Sequence, residues 1–421
     1  MGAAFLCISG IRETENSPYR LLSVRPAVWL GGVSYSVYLW HWPLLVGFQE
    51  RFDGLTAWQG VGVVVLSFLP AVAAQRLVED PLRFAPRTQR PRNALLMGAV
   101  CMAGSILCGA VLVASVQTFS GTAIPVDLAP GALAITMNES SDWGAVDTFD
   151  TITPDPLLAT TDNPDAYAGG CQVNDAHHEA QSCLYGANDS GPVVMLIGDS
   201  KAVQWEPAMQ IIAAESGWQL QVVGKSGCAF ADADQIRRGE RFASCIDWNA
   251  SVLALIETVQ PNLVIVSNFQ RQGLVTGASL ESGQTKEAMR DGYAERWRQV
   301  EALGVETIVI LDNPNPRTDV YECVATNRTT VSNCAFDLAM GEEFSGASTQ
   351  RAAAGLPNVG VDVIDLTDFI CPDLCPAVIG NVLIYRQDSH ITRTYVESLV
   401  PFLSAQLHDL TTGALGKPID R

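Results

Sequence analysis

"VVMLIGDSKAVQWEPAM", residues 193–209, runs five apolar residues into Gly198-Asp199-Ser200 and then takes up a helical pattern. A short continuous apolar run closed by a glycine reads as a strand buried on both faces, and the stretch at about 202–216 reads as a helix. The alternation continues downstream. Strands "LQVVG" (220–224), "LVIVSN" (263–268), "TIVILD" (307–312) and "VDVID" (361–365) are interleaved with helical patterns at about 248–260, 285–303 and 392–409. Buried strands alternating with amphipathic helices predict an α/β domain, a doubly wound parallel sheet covered on both faces. Ligands in such sheets bind beyond the carboxyl ends of the strands, where Ser200, Gly224 to Gly227, Asn268 and Asp312 all fall.

The rest of the chain has another character. Of 421 residues 48% are hydrophobic and 17% charged, which is apolar for a wholly soluble protein and points to a membrane part. Residues 1–116 carry nine Arg, no Lys and six acidic residues, net +3, leaving −22 for residues 117–421. So acidic a body repels nucleic acid, and none is expected as a partner. Three stretches near the roughly 20 residues a membrane-crossing helix needs lie at about 28–48, 56–75 and 94–116. Arg76, Arg83, Arg87, Arg90 and Arg92 come after the second, which keeps that connection cytoplasmic and sends residues after 117 to the outer face. Residues 117–170, rich in Asp, Thr, Pro and Ala without sustained period, read as a linker.

Cysteine usage gives the same compartment. Three of the eleven, Cys7, Cys101 and Cys108, are in the apolar part. The other eight fall in close pairs, Cys171/Cys183, Cys228/Cys245, Cys323/Cys334 and Cys371/Cys375, suggesting disulfides and an oxidising environment, with connectivity left open. A metal site is not expected, because Cys371 and Cys375 have no second close Cys/His pair, and His177 and His178 sit in a polar loop.

Taken alone, Asp199 or Ser200 at a strand-to-helix junction is explained as an N-cap or a phosphate-binding helix start. Company changes the balance. An activated serine needs a base, an acceptor that orients the base, and N–H donors for the oxyanion. "YRQDSHIT" supplies Asp388 and His390 before the last helix, "GKSGC" supplies glycine-flanked amides after the second strand, and "VSNF" places Asn268 after the third. This set resembles the SGNH (GDSL-like) hydrolase family. The resemblance implies Ser200 as nucleophile, the Ser200 N–H, Gly227 and Asn268 as oxyanion donors, His390 as general base and Asp388 as its orienting acid. The matches are partial: Asn268 lacks the usual flanking Gly and Asp, and Gln387 stands where the family has its acid.

"SYSVYLWHWPLLV", residues 34–46, packs two Tyr, two Trp, a His and a Pro into the first span, a composition that also suits an interfacial aromatic belt. Within "LLSVRPAVWLGGVSYSVYLWHWPLL" and with "RLVEDPLR" after the next span, it resembles the last block of the acyltransferase 3 family, whose members O-acylate extracytoplasmic glycans and other surface molecules. Glu79 and Arg83 match that family's Glu-x-Pro-x-Arg ending. His41 does not correspond to the family's catalytic histidine, and a structural or channel-lining role is expected of it. Only the last spans of that domain are matched, so either the chain is truncated or split, or another subunit supplies the rest.

Together the resemblances imply a multi-pass cell-membrane protein with its SGNH domain, residues 171–421, on the extracytoplasmic side. They imply an O-acyltransferase moving an acyl group, acetyl by expectation, to a cell-surface glycan or lipid. No bound cofactor is expected, and acyl-CoA is the expected donor to the complete system. Two alternatives stay open: a membrane-anchored esterase, and a non-catalytic partner of a separate acyltransferase subunit.

Overall fold

The computed structural model describes residues 22–51, 56–86, 90–118, 128–137, 142–186, 191–275, 277–280, 283–372 and 374–411. The chain divides into two compact units, Met1–Val116 and Gln117–Arg421.

The first unit is helical. Helix α1 spans Arg25–Arg51; α2 is a continuous run, Ala57–Phe84, opened by a Thr56/Gln59 capping box and containing a π-helical turn at Gln75–Glu79; α3 spans Pro91–Thr118. Two of the three, Ala57–Phe84 and the Pro91–Val111 part of α3, are long and apolar enough to cross a membrane. The expected first span forms a helix of sufficient length, but its Ser, Tyr, His and Gly content dilutes its hydropathy, and two spans rather than three pass on composition. Ser36 Oγ donates to Glu79 Oε1 at 2.6 Å, and His41 Nδ1–H donates to the Tyr38 carbonyl of its own helix at 2.7 Å. Arg83 stands 5.6 Å from the Phe84 ring centroid. Glu79 thus has a bonded partner within this unit, and His41 is held by its own backbone.

The second unit is built on a seven-stranded sheet. Its strands are β1 Gln172–Val173, β2 Cys183–Gly186, β3 Val193–Gly198, β4 Gln219–Lys225, β5 Leu263–Ser267, β6 Glu306–Ile310 and β7 Val361–Ile364. The spatial order is β1-β4-β3-β5-β6-β7, all parallel, with β2 antiparallel on the same edge of β4 as β1. Counted from β3, the order runs second-first-third-fourth-fifth, the flavodoxin-like winding, whose switch point lies between the first and third strands. Here that point falls between β3 and β5, and Ser200 lies just beyond the end of β3.

The apolar runs are explained by burial on both faces. Val194 and Leu196 join one core cluster with Leu220, Ile265, Ile308 and Leu403, whereas Met195 and Ile197 join a second with Val223, Val264, Val309 and Trp297. A strand turns successive side chains to opposite faces, so both sets must be apolar when helices cover both faces. The covering helices include Glu206–Ser216, Ala243–Val259, Lys286–Ala302, Ala347–Ala354 and Val400–Thr411.

The linker expected over 117–170 is not one where it is described. Ala132, Ala159 and Ala166 are fully buried in the first cluster, and Thr153 bridges to Val382. These residues pack as single turns and 3-10 segments, too short to show a period in sequence. The eight paired cysteines form four disulfides, Cys171–Cys183, Cys228–Cys245, Cys323–Cys334 and Cys371–Cys375. Among the described residues no cluster of His, Cys, Asp and Glu could hold a metal ion.

Candidate active site

Gly198 ends β3 with φ of +151°, and a Cβ there would stand 2.3 Å from the Ser267 carbonyl and 2.9 Å from Asn268 Oδ1. Only glycine lets the chain turn this tightly against β5. Asp199 is the N-cap of the one-turn helix Ser200–Val203: one carboxylate oxygen accepts from Lys201 N–H, the other from Phe269 N–H, both at 2.9 Å. Burial, the largest influence, raises its pKa to about 7 against those two bonds. Asp199 thereby ties the nucleophile turn to the loop after β5. Its N-cap role and the cleft position of Ser200 are both present, on adjacent residues.

Ser200 Oγ lies 2.8 Å from His390 Nε2. His390 Nδ1 lies 3.3 Å from the Gln387 carbonyl, which can only accept, so the proton sits on Nδ1 and the lone pair of Nε2 faces Ser200. Burial, then the nearby charges of Lys201 and Arg386, push the His390 pKa down to about 3, keeping the ring neutral. Ser200 Oγ therefore faces an unprotonated Nε2, the arrangement a nucleophilic serine would need.

Asp388 is not the orienting group. "YRQDSHI" folds as a hairpin in which Gln387 pairs with His390 across a two-residue turn, Asp388-Ser389. Asp388 takes φ of +48° in that turn, its side chain is exposed, and its N–H donates to Asp319 Oδ1 at 2.8 Å. The hairpin pairing puts a backbone carbonyl, not a carboxylate, against Nδ1. Asn268 does not line the cleft. It is fully buried beneath Gly198, its Oδ1 accepts from Phe230 N–H at 2.9 Å, and its Nδ2 is buried without an acceptor. The loop after β5 lines the cleft with Phe269 instead.

The other two oxyanion candidates do line the cleft. Ser200 N–H is in the first turn of a helix and has no intrahelical acceptor. Gly227, at φ of +60°, lies between Ser226 N–H, bonded to the Val173 carbonyl, and Cys228 N–H, bonded to the Lys225 carbonyl. Its own N–H has no bonded acceptor among the described residues.

Lys201 is a residue that sequence reading missed. Its ammonium is 1% exposed, 3.1 Å from Asp312 Oδ1, and donates to Asn313 Oδ1 at 2.9 Å and to the Ser389 carbonyl. Gln204 joins the same layer, donating to Asn313 Oδ1 and accepting from Ile391 N–H. This buried layer fixes the hairpin that carries His390 to the turn that carries Ser200. A lysine three positions past a strand end has no sequence signature of burial; Asp312, at the end of its own apolar strand, was the available hint.

The cleft over these groups has a volume of about 580 Å³ and a wall of mixed polar and apolar surface that includes Tyr167, Gln172, Asn315, Arg317 and Arg386. It can hold an acyl carbonyl against Ser200 together with a hydroxyl-bearing second substrate.

A family model described as "SGNH domain (fused to AT3 domains)" matches residues 170–405. A protein of Komagataeibacter xylinus named as a membrane-bound transacylase, BcsY, is 35% identical over 106 residues, which make up 24% of this chain and 26% of that protein. The chain thus matches about a quarter of that relative's length. Among solved structures, the periplasmic domain of a lipopolysaccharide acetyltransferase of Salmonella ser. Paratyphi A aligns over 57% of this chain and 87% of its own, at 15% identity and a TM-score of 0.41.

Proposed function

We propose, since this chain belongs to the family of SGNH domains fused to acyltransferase 3 domains, that it is an O-acyltransferase working through Ser200. The observation that carries the reading is the 2.8 Å contact between Ser200 Oγ and His390 Nε2 at the switch point of the sheet. His390 Nε2 takes the Ser200 proton as Oγ attacks the acyl carbonyl; the developing oxyanion is met by the Ser200 and Gly227 N–H groups. The leaving group departs with the proton from the imidazolium, leaving Ser200 as an ester. An acceptor hydroxyl then gives its proton to Nε2, attacks the ester, and restores Ser200. The Gln387 carbonyl keeps the imidazole in the required tautomer throughout.

Hydroxyls of a cell-surface glycan or lipid are the acceptors we infer, supported by the polar side chains in the cleft wall and by the family. The apolar helices and four disulfides support a membrane protein with this domain on the extracytoplasmic side. An acetyl group, an acyl-CoA donor to the complete system and a further membrane subunit are parts of the same proposal. Water in place of the acceptor would make the same site an esterase.

The test uses the full-length chain in detergent micelles with p-nitrophenyl acetate and a sugar acceptor. The expected result is an acetyl group on Ser200 by mass spectrometry, and a fall of about 10³-fold or more in kcat/KM for Ser200→Ala and His390→Ala. Product partitioning between acetylated sugar and acetate separates transfer from hydrolysis. Turnover unchanged in Ser200→Ala would overturn the reading.

A further inference from the structure

Arg386 lines the cleft, yet it is only 3% exposed. Its Nη2 donates to the Tyr167 hydroxyl at 2.8 Å and its guanidinium stands 5.2 Å from the centroid of that ring. Nε is buried with no acceptor among the described residues. An arginine does not shed its proton in a protein, so a full positive charge is buried here against a neutral phenol. Buried charges are ordinarily paired, and an unpaired one is costly.

The other cations of the cleft do not share this condition. Lys201 has Asp312, and Arg237 has Asp175 at 3.4 Å. Arg317 is exposed on the rim, 3.9 Å from the centroid of Phe344, with no carboxylate partner among the described residues. Nor do the carboxylates of the cleft neutralise Arg386. Asp199 is occupied by two N–H groups, Asp319 accepts from the Asp388 N–H, and Asp388 is exposed in its turn. Arg386 also sits on the strand of the hairpin opposite His390, so whatever it holds is held near the reacting serine.

We propose that Arg386, with Arg317 at the rim, forms an anion subsite that takes a carboxylate or phosphate carried by the acyl group or by the acceptor. The inference rests on the acyl-transfer reading and names its substrate class. Planar, forked donors suit such anions, and a guanidinium in the cleft wall with no carboxylate partner among the described residues is where the charge of the anion is met.

The experiment uses the full-length protein in two arms. One compares S-succinyl- with S-acetyl-N-acetylcysteamine as acyl donors by thiol release. The second compares methyl glucuronoside with methyl glucoside as acetyl acceptors. Preference for the charged member by about tenfold or more in either arm is expected, the worth of a charge-assisted hydrogen bond. The arm that shows it identifies which substrate carries the anion. In Arg386→Gln that preference should fall toward one, and Arg386→Lys should restore part of it; Arg317→Gln, at the exposed rim, gives a smaller fall without disturbing the core. Calorimetric titration of Ser200→Ala protein with succinate, methyl glucuronoside and inorganic phosphate decides the subsite even if no turnover is found. In that case the acyl-transfer reading fails alone. Equal rates for charged and neutral reagents in both arms, or no binding of any of the three anions, would overturn the subsite.

Discussion

His390 decides how the site responds to pH and to mutation. With its pKa near 3 rather than 6.5, the imidazole stays unprotonated well into acid, though it is a weaker proton acceptor than an ordinary histidine, and protonation removes the acceptor at Nε2 only when that lower value is approached. The expected pH profile of kcat/KM therefore has no acid limb around 6.5; a limb there would show that a carboxylate supports the ring after all. Stability is a poorer readout. The His390 shift contributes stability that is full above 6.5 and lost as pH falls toward about 3, whereas the Asp199 shift contributes stability that is full below 3.8 and lost as pH rises through about 7. The two oppose each other across the shared window. Asp388→Asn gives the complementary test. Loss of a triad acid costs about 10⁴-fold in kcat, but an exposed side chain in a hairpin turn should cost no more than about threefold when kcat is measured.

At the level of elements, the question is what holds the β3 turn and the 385–391 hairpin in register. Lys201 spans the gap, with Asp312 at the end of β6 as its charge partner. Removing one member of a buried pair strands the other, so Lys201→Met should cost about 3–5 kcal/mol in denaturant unfolding. The double variant Lys201→Met, Asp312→Leu should recover much of that stability but only part of the activity, since the Ser389 carbonyl loses the Lys201 ammonium and keeps Asn313 Nδ2 as its donor. Recovery of both would mean that the hairpin is positioned by its own packing. Strands and covering helices were readable because doubly buried strands are continuous apolar runs. The hairpin was not: Asp388 adopts positive φ without the glycine that would announce a turn, so its residues read as a plain approach to the last helix.

Across the molecule, the four disulfides close local loops of the acidic unit, and Cys228–Cys245 encloses the segment that carries Phe230, bonded to Asn268, and Arg237, which stands against Gly227. Its removal by Cys228→Ala with Cys245→Ala should lower stability by about 3 kcal/mol, read as a fall in Tm, because the unfolded chain regains a loop 17 residues long. An unchanged Tm would assign the loop's order to packing alone. The order of residues was enough to establish the parallel sheet, the split into an apolar and an acidic unit, and the meeting of Ser200 with His390, because burial on both faces and junction chemistry leave local patterns. Folding in three dimensions was needed to show that residues before 170 complete the core, that Asn268 is buried under Gly198, that a carbonyl takes the place of Asp388, and that Arg386 is buried without a carboxylate partner among the described residues. Each of these depends on which side chains a distant segment excludes from water, and burial by a distant segment has no period in the sequence.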